Sequence, residues 1–193
     1  MIEREKKILL TQKEYAALLK HFFENACRTY QTNHYYDTED YALHRSGVTC
    51  RIREKDGKFQ ATKKSHLPDS DSSEELSAAV SSVTDSFPFG DVRAAYKGFL
   101  VTERAELHSD GVDFYLDKNN YLGMVDFELE IEYLPGRENE ANKLLQDVAS
   151  FLMRIGFLEN WNQMIHRIGK GGSKSGRFFE RLQKYNRLFW GMP

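Results

Sequence analysis

Between Val125 and Tyr133 the sequence alternates strictly, Val-Asp-Phe-Glu-Leu-Glu-Ile-Glu-Tyr. In a strand, residues two apart share a face, so Val125, Phe127, Leu129, Ile131 and Tyr133 take one side and Asp126, Glu128, Glu130 and Glu132 the other. The alternation recurs along the chain. Val48, Cys50 and Ile52 stand against Thr49, Arg51 and Arg53, and Phe59 and Ala61 against Gln60, Thr62 and Lys64. Further on, Phe99, Val101, Ala105 and Leu107 oppose Thr102, Arg104 and Glu106, while Val112, Phe114 and Leu116 oppose Asp113, Tyr115 and Asp117. Near the N-terminus Glu3, Glu5 and Lys7 fall together. The chain is therefore read as mostly antiparallel sheet with one apolar and one charged face.

Turns and helices fit this reading. Asp56-Gly57 between Val48–Lys55 and Lys58–Lys64 is the strongest short-range hairpin signal, and Ser109-Asp110-Gly111 joins a second pair, Phe99–His108 and Val112–Asp117. Asn33–Thr38 reads as a short strand. Thr11-Gln12-Lys13-Glu14 has capping-box spacing and predicts a helix over about 12–25, with Tyr15, Leu18, Leu19, Phe22 and Phe23 as its packing stripe. A second helix is predicted over 137–155, with Gly156 closing it. Residues 68–73 read as loop, and 74–83 fits either a short helix or a strand. The tail from Gly169 predicts a Gly/Ser/Lys link and then a basic amphipathic helix carrying Phe178, Leu182, Tyr185 and Phe189, docked on the sheet domain in preference to nucleic acid or membrane.

Composition narrows the function classes. Among 193 residues, 27 Lys and Arg face 29 Asp and Glu, a net charge of −2 that argues against a generic polyanion binder. A hydrophobic content of 40% supplies a core for one domain. No run approaches the roughly 18 apolar residues of a membrane helix, and Ile2-Glu3-Arg4-Glu5-Lys6-Lys7 lacks the apolar stretch of a signal peptide, so a cytoplasmic location is expected. Cys27 and Cys50 read as free thiols of a reducing compartment. None of the six histidines has zinc spacing, and neither a P-loop nor a Gly-x-Gly-x-x-Gly run occurs.

The charged face carries the chemistry. It combines Lys7, Arg51, Arg53, Lys64 and Arg104 with Glu3, Glu5, Asp117, Glu128 and Glu130. Arginine and lysine donate to phosphate oxygens, and carboxylates supply the hard oxygen donors that Mg²⁺ or Mn²⁺ prefers. Those are the two requirements of a metal-bound polyphosphate. If the sheet closes on itself the face becomes an interior, whose charges must be hydrated or neutralised by ligand and metal.

These residues resemble a known family. Glu3-x-Glu5-x-Lys7, Arg51-Ile52-Arg53, Lys64, Thr102-Glu103-Arg104 and Phe127-Glu128-Leu129-Glu130-Ile131-Glu132, in that order, resemble the CYTH superfamily of triphosphate tunnel metalloenzymes, and most closely its small bacterial single-domain branch. The resemblance implies an α+β fold, a closed eight-stranded antiparallel β-barrel with helices packed outside, formed by residues 1–168, with 169–193 as a C-terminal helix on the same domain. It implies Mg²⁺ or Mn²⁺ as cofactor, with Glu3, Glu5, Asp117, Glu128 and Glu130 as metal ligands. Lys7, Arg51, Arg53, Lys64, Arg104 and Arg177 would hold the substrate, and Glu5, Lys7, Glu128 and Glu130 would serve catalysis. The family places one more basic residue near the C-terminus, for which Lys174 and Arg177 both qualify, and Glu75 is a further tunnel candidate.

The expected activity is hydrolysis of a triphosphate: tripolyphosphate, a nucleotide or thiamine triphosphate. The alternatives are a non-catalytic polyphosphate-binding module and, third, a class IV-type adenylyl cyclase. Partners are expected to be triphosphate-containing small molecules, with neither membrane nor nucleic acid. Phe87, Phe89, Phe99 and Trp190 fit either core or a homodimer interface.

Overall fold

The computed structural model describes residues 4–66 and 73–190. Glu3, residues 67–72 and the Trp190 side chain lie outside the described residues. The chain runs β1 (Arg4–Leu10), α1 (Gln12–Phe22), β2 (Cys27–Asp37), α2 (Ala42–Arg45), β3 (Val48–Lys55), β4 (Lys58–His66), β5 (Ser73–Val80), β6 (Ser86–Phe89), β7 (Val92–Ser109), β8 (Val112–Tyr121), β9 (Met124–Tyr133), α3 (Glu138–Arg154), α4 (Trp161–Arg167) and α5 (Lys174–Trp190).

Local chemistry sets several boundaries. Thr11 accepts from the Glu14 amide while the Glu14 carboxylate accepts from the Thr11 amide, completing the capping box that starts α1. Asp56 and Gly57 both take positive φ, 53° and 69°, as a two-residue turn between right-twisted strands requires. Leu122-Gly123 does the same between β8 and β9, at 45° and 72°. A leucine in left-handed backbone is a turn that composition does not announce. Of the segment 74–83, which fits either a helix or a strand, 74–80 is strand, paired with β4 from Phe59↔Val80 to His66↔Ser73, and 81–83 lie outside any element.

All pairings are antiparallel and follow one path, β1-β9-β8-β7-β2-β3-β4-β5, with short β6 added along β7. The expected eight antiparallel strands form the main path, with β6 as a ninth beside it, and closure into a barrel is not seen among the described residues. Among these residues the sheet is not closed by hydrogen bonds, because β1 pairs with β9 and β5 with β4 but not with each other. A ladder would need those edges about 4.8 Å apart. Here Glu5 and Lys7 of β1, with Lys64 and Glu75 of β4 and β5, instead line one cavity. The sheet is thus curled, with both ends walling the same space.

Outside, apolar residues bury against helices. Ile8, Leu116, Leu129 and Ile131 pack with Leu18 of α1, Leu145, Val148 and Leu152 of α3 and Met164 of α4. A second cluster holds Tyr36, Cys50, Ile52, Ala61 and Phe89. A third docks α5, whose Phe178 and Phe179 bury against Tyr35, Leu100 and Tyr121. No helix of the described residues is long and apolar enough to cross a membrane.

Candidate active site

The polar faces converge by register. Across β1 and β9, Lys7 stands opposite Glu130 and Glu5 opposite Glu132. Asp117 of β8 faces Glu128 of β9 and Arg104 of β7. On the other side, Asn33 of β2 faces Arg53 and Tyr35 faces Arg51. Lys64 of β4 faces both Thr49 and Glu75. These strands enclose a cavity of about 250 Å³. Seven cations line it, Lys7, Arg51, Arg53, Lys55, Lys64, Arg104 and Lys174, against the five carboxylates Glu5, Glu75, Glu106, Glu130 and Glu132. The cavity wall is net positive.

Its two sides differ. On the acidic side Asp117, Glu128 and Glu130 are all buried, with one oxygen of each within 4.8 Å of the others. Arg104 orients two of them, donating from Nε and Nη2 to Asp117 at 2.8 and 2.7 Å and from Nη2 to Glu130 at 2.5 Å. Its guanidinium also stacks 3.8 Å from the Tyr115 ring centroid. Arg177 fixes the third, donating from Nη2 to Glu128 Oε2 at 2.6 Å. Lys174, the first residue of α5, places its ammonium among all three, 2.5 Å from Glu128 Oε1, 2.7 Å from Glu130 Oε1 and 2.9 Å from Asp117 Oδ2.

Burial is the largest influence on these groups, and neighbouring charges outweigh it at some and not at others. It pushes Glu128 up to about 7 despite Lys174 and Arg177. Glu130, equally opposed by burial, is held well below the usual carboxylate range by Lys174 and Arg104. Burial works against the Lys174 ammonium, but Asp117, Glu128 and Glu130 outweigh it and raise its pKa. Lys7 behaves likewise, its charge favoured by Glu130 and by Glu5, 2.7 Å away. Lys7 stands there as an ammonium, not as a free amine.

The opposite side is short of negative charge. Arg51 has Glu75 at 4.0 Å as its ion-pair partner, and its Nε is buried with no hydrogen-bond acceptor. Arg53 donates from Nε to the neutral amide oxygen of Asn33 at 3.1 Å. Burial, with Arg51 and Arg104 nearby, pushes the Arg53 pKa down to about 10.

Of the residues singled out from the sequence, Glu5, Lys7, Arg51, Arg53, Lys64, Arg104 and Glu130 line the cavity, and Asp117 and Glu128 complete the acidic cluster behind it. Glu75 lines it as well. Arg177 is the exception: it is not among the cavity-lining residues, and its donors are taken by Asp126, Glu128 and the carbonyl oxygens of Gly171 and Gly172. Lys174 reaches the cavity in its place. Tyr115 and Glu106, on the charged strand faces but outside the candidate site set, line the cavity too, as do Ser173 and Ser175. Tyr115 and Glu106 share strand faces with Asp117 and Arg104, a signal the sequence did contain.

The cluster fits a divalent cation by the chemistry of its donors, three converging carboxylates, and by the Lys174 ammonium already lodged among them.

Comparison with known proteins agrees in fold. The chain is 32% identical over 164 residues, 75% of its length and 85% of the relative's, to the proposed triphosphatase YjbK of Bacillus subtilis (strain 168). A crystal structure described as a proposed adenylate cyclase from Bacillus halodurans superposes with a TM-score of 0.61 at 27% identity, covering 83% of this chain and 95% of that one. HpAC1 from Hippeastrum, proposed as an adenylyl cyclase and described as having a dominant triphosphatase activity, gives a TM-score of 0.62 at 20% identity, covering 93% and 95%. The family model for the CYTH domain matches residues 1–160, and the chain belongs to that family.

Proposed function

We propose that the protein is a metal-dependent triphosphatase that transfers the terminal phosphoryl group of a small triphosphate compound to water. The observation that carries this reading is the half-buried, under-neutralised pair Arg51 and Arg53 facing a carboxylate cluster across one cavity. A site of this kind lacks an anion on one side and offers cation ligands on the other. A triphosphate with its divalent ion satisfies both. The name of the Bacillus subtilis relative and the activity ascribed to HpAC1 support the same class of reaction.

In this reading Arg51, Arg53 and Lys64 bind the phosphate chain, and Arg104 adds the Nη1 hydrogens its carboxylate contacts leave over. Asp117, Glu128 and Glu130 would hold Mg²⁺ or Mn²⁺, with Glu5 beside them and Glu3 assigned on the sequence pattern alone. When bound, the ion neutralises phosphate oxygens and acidifies the attacking water. Lys7 stays charged and balances the developing negative charge between Glu5 and Glu130. Water attacks the terminal phosphorus, the bond to the bridging oxygen breaks, and orthophosphate leaves with the shortened phosphate chain. Because the transition state is loose, fixed cations suffice and no nucleophilic side chain is required.

Incubation with tripolyphosphate and Mg²⁺ or Mn²⁺ tests the proposal. Orthophosphate release that disappears in Glu128→Gln and Glu5→Gln is the expected result. Binding without release would make the protein a capture module. Cyclic nucleotide and pyrophosphate from ATP would make it a cyclase.

A further inference from the structure

The three inward carboxylate oxygens of the acidic cluster share one occupant. Glu128 Oε1, Glu130 Oε1 and Asp117 Oδ2 all contact the Lys174 Nζ at 2.5 to 2.9 Å. The outer oxygens of the two glutamates are held from behind, Glu128 Oε2 by Arg177 and Glu130 Oε2 by Arg104. The cluster is thus pre-oriented, with its open face filled by a tethered monovalent cation. A Mg²⁺ ion taking the same oxygens would sit about 2.0–2.1 Å from each. It would stand nearly where the ammonium stands, and two cations at that separation exclude each other sterically and by Coulomb repulsion.

Lys174 is placed to yield. It is the first residue of α5, Ser173 caps that helix by accepting from the Gly176 amide, and the preceding Gly171 and Gly172 form the link to α4. Its side chain also borders the cavity. Its four-carbon stem is flexible, and the cavity it borders is the one that Arg51 and Arg53 also line.

Building on the triphosphatase reading, we propose that Lys174 is an intramolecular competitor of the divalent ion. It occupies the carboxylates in the resting protein, and on ion binding it is displaced into the cavity, where a phosphate oxygen becomes its new counter-charge. Ion and triphosphate binding are thereby coupled: each gives the displaced ammonium, or the vacated carboxylates, a partner the other alone does not.

Two measurements without turnover test this. Mn²⁺ binding, followed by isothermal titration in the absence of any phosphate compound, is expected to be at least tenfold tighter in Lys174→Met than in the wild type. Equal or weaker binding in the variant overturns the proposal. Should Lys174→Met fail to fold around its unpaired carboxylates, the wild type still answers. Saturating Mg²⁺ is expected to speed amine labelling of Lys174, read by peptide mass spectrometry, at least fivefold, and an unchanged rate overturns the proposal. The two readings separate cleanly. Tighter Mn²⁺ binding in the variant without phosphate release from any triphosphate leaves the competition standing and removes the enzyme, whereas hydrolysis with no gain in Mn²⁺ affinity does the reverse.

Discussion

Arg53 and Asn33 are direct partners across β2 and β3, and the arginine donates from Nε to the asparagine's amide oxygen at 3.1 Å. A guanidinium largely removed from water normally meets a carboxylate. This one meets a neutral group and has Arg51 and Arg104 as charged neighbours. Its position therefore costs folding energy and is repaid when an anion binds. Arg53→Met is expected to leave the melting temperature unchanged or higher while weakening tripolyphosphate binding by roughly 10- to 100-fold, the value of one or two hydrogen bonds to a charged group. Thermal denaturation and isothermal titration on the same preparation check it. Loss of stability and affinity together would show the arginine to be structural.

The same imbalance predicts how ligand should act on the fold. Anything that binds the native state stabilises it by mass action, by about 2.7 kcal/mol at a hundredfold excess over Kd. Tripolyphosphate without added metal is expected to raise the melting temperature, and the rise should shrink with added salt, because partly exposed cations such as Lys55 contribute to the net positive wall. Arg51→Ala should abolish most of the shift. An equal shift in Arg51→Ala would place the anion elsewhere.

How much of this was legible beforehand follows from what each signal encodes. Alternation located Arg104, Asp117, Glu128 and Glu130 on shared strand faces because β geometry is periodic, and the Asp56-Gly57 turn fixed the Arg51 and Lys64 register. Closure of the sheet was not legible. It depends on whether the outer edges of β1 and β5 meet, which no local pattern records. Nor was the choice between Lys174 and Arg177. The two lie three residues apart on one helix face, so both reach the acidic cluster. Only docking of Phe178 and Phe179 sets which enters the cavity and which stays behind it with Asp126. The strand at 73–80 eluded periodicity because Glu-Glu-Leu-Ser-Ala-Ala carries little apolar contrast, and its Leu76 is exposed.

Docking of α5 rests on a close approach that can be probed directly. Gly98 has φ of 137°, beside the register shift between β2 and β7, and a Cβ there would come within 2.9 Å of Phe178 Cζ. Gly98→Ala would strain the backbone and push the ring out of the cluster with Tyr35 and Leu100. A destabilisation of about 1–3 kcal/mol is expected, typical of overpacking, read as a lowered urea midpoint. A variant as stable as the wild type would show that α5 tolerates displacement without cost.

Glu14 ties the start of α1 to α4. Its carboxylate, 4% exposed as a residue, accepts from Arg167 Nη1 at 2.7 Å and Nη2 at 3.0 Å and from the Thr11 amide at 2.7 Å. Burial pushes its pKa up, but the Arg167 and Thr11 hydrogen bonds prevail and leave it lowered. A carboxylate with a depressed folded pKa contributes stability that is complete above the unfolded value of 4.5 and is lost as pH falls through the folded one. Glu14→Gln removes the charge while keeping most of the shape, so it should cost about 2 kcal/mol near neutral pH, less than the 3–5 of a fully buried broken pair because Arg167 retains some solvent contact. Urea titrations of both proteins between pH 7 and about pH 3 should show the gap constant above the unfolded pKa and narrowing below it, as protonation of wild-type Glu14 makes the two chemically alike. A gap that stays open under acid would mean the glutamate acts by packing rather than by charge.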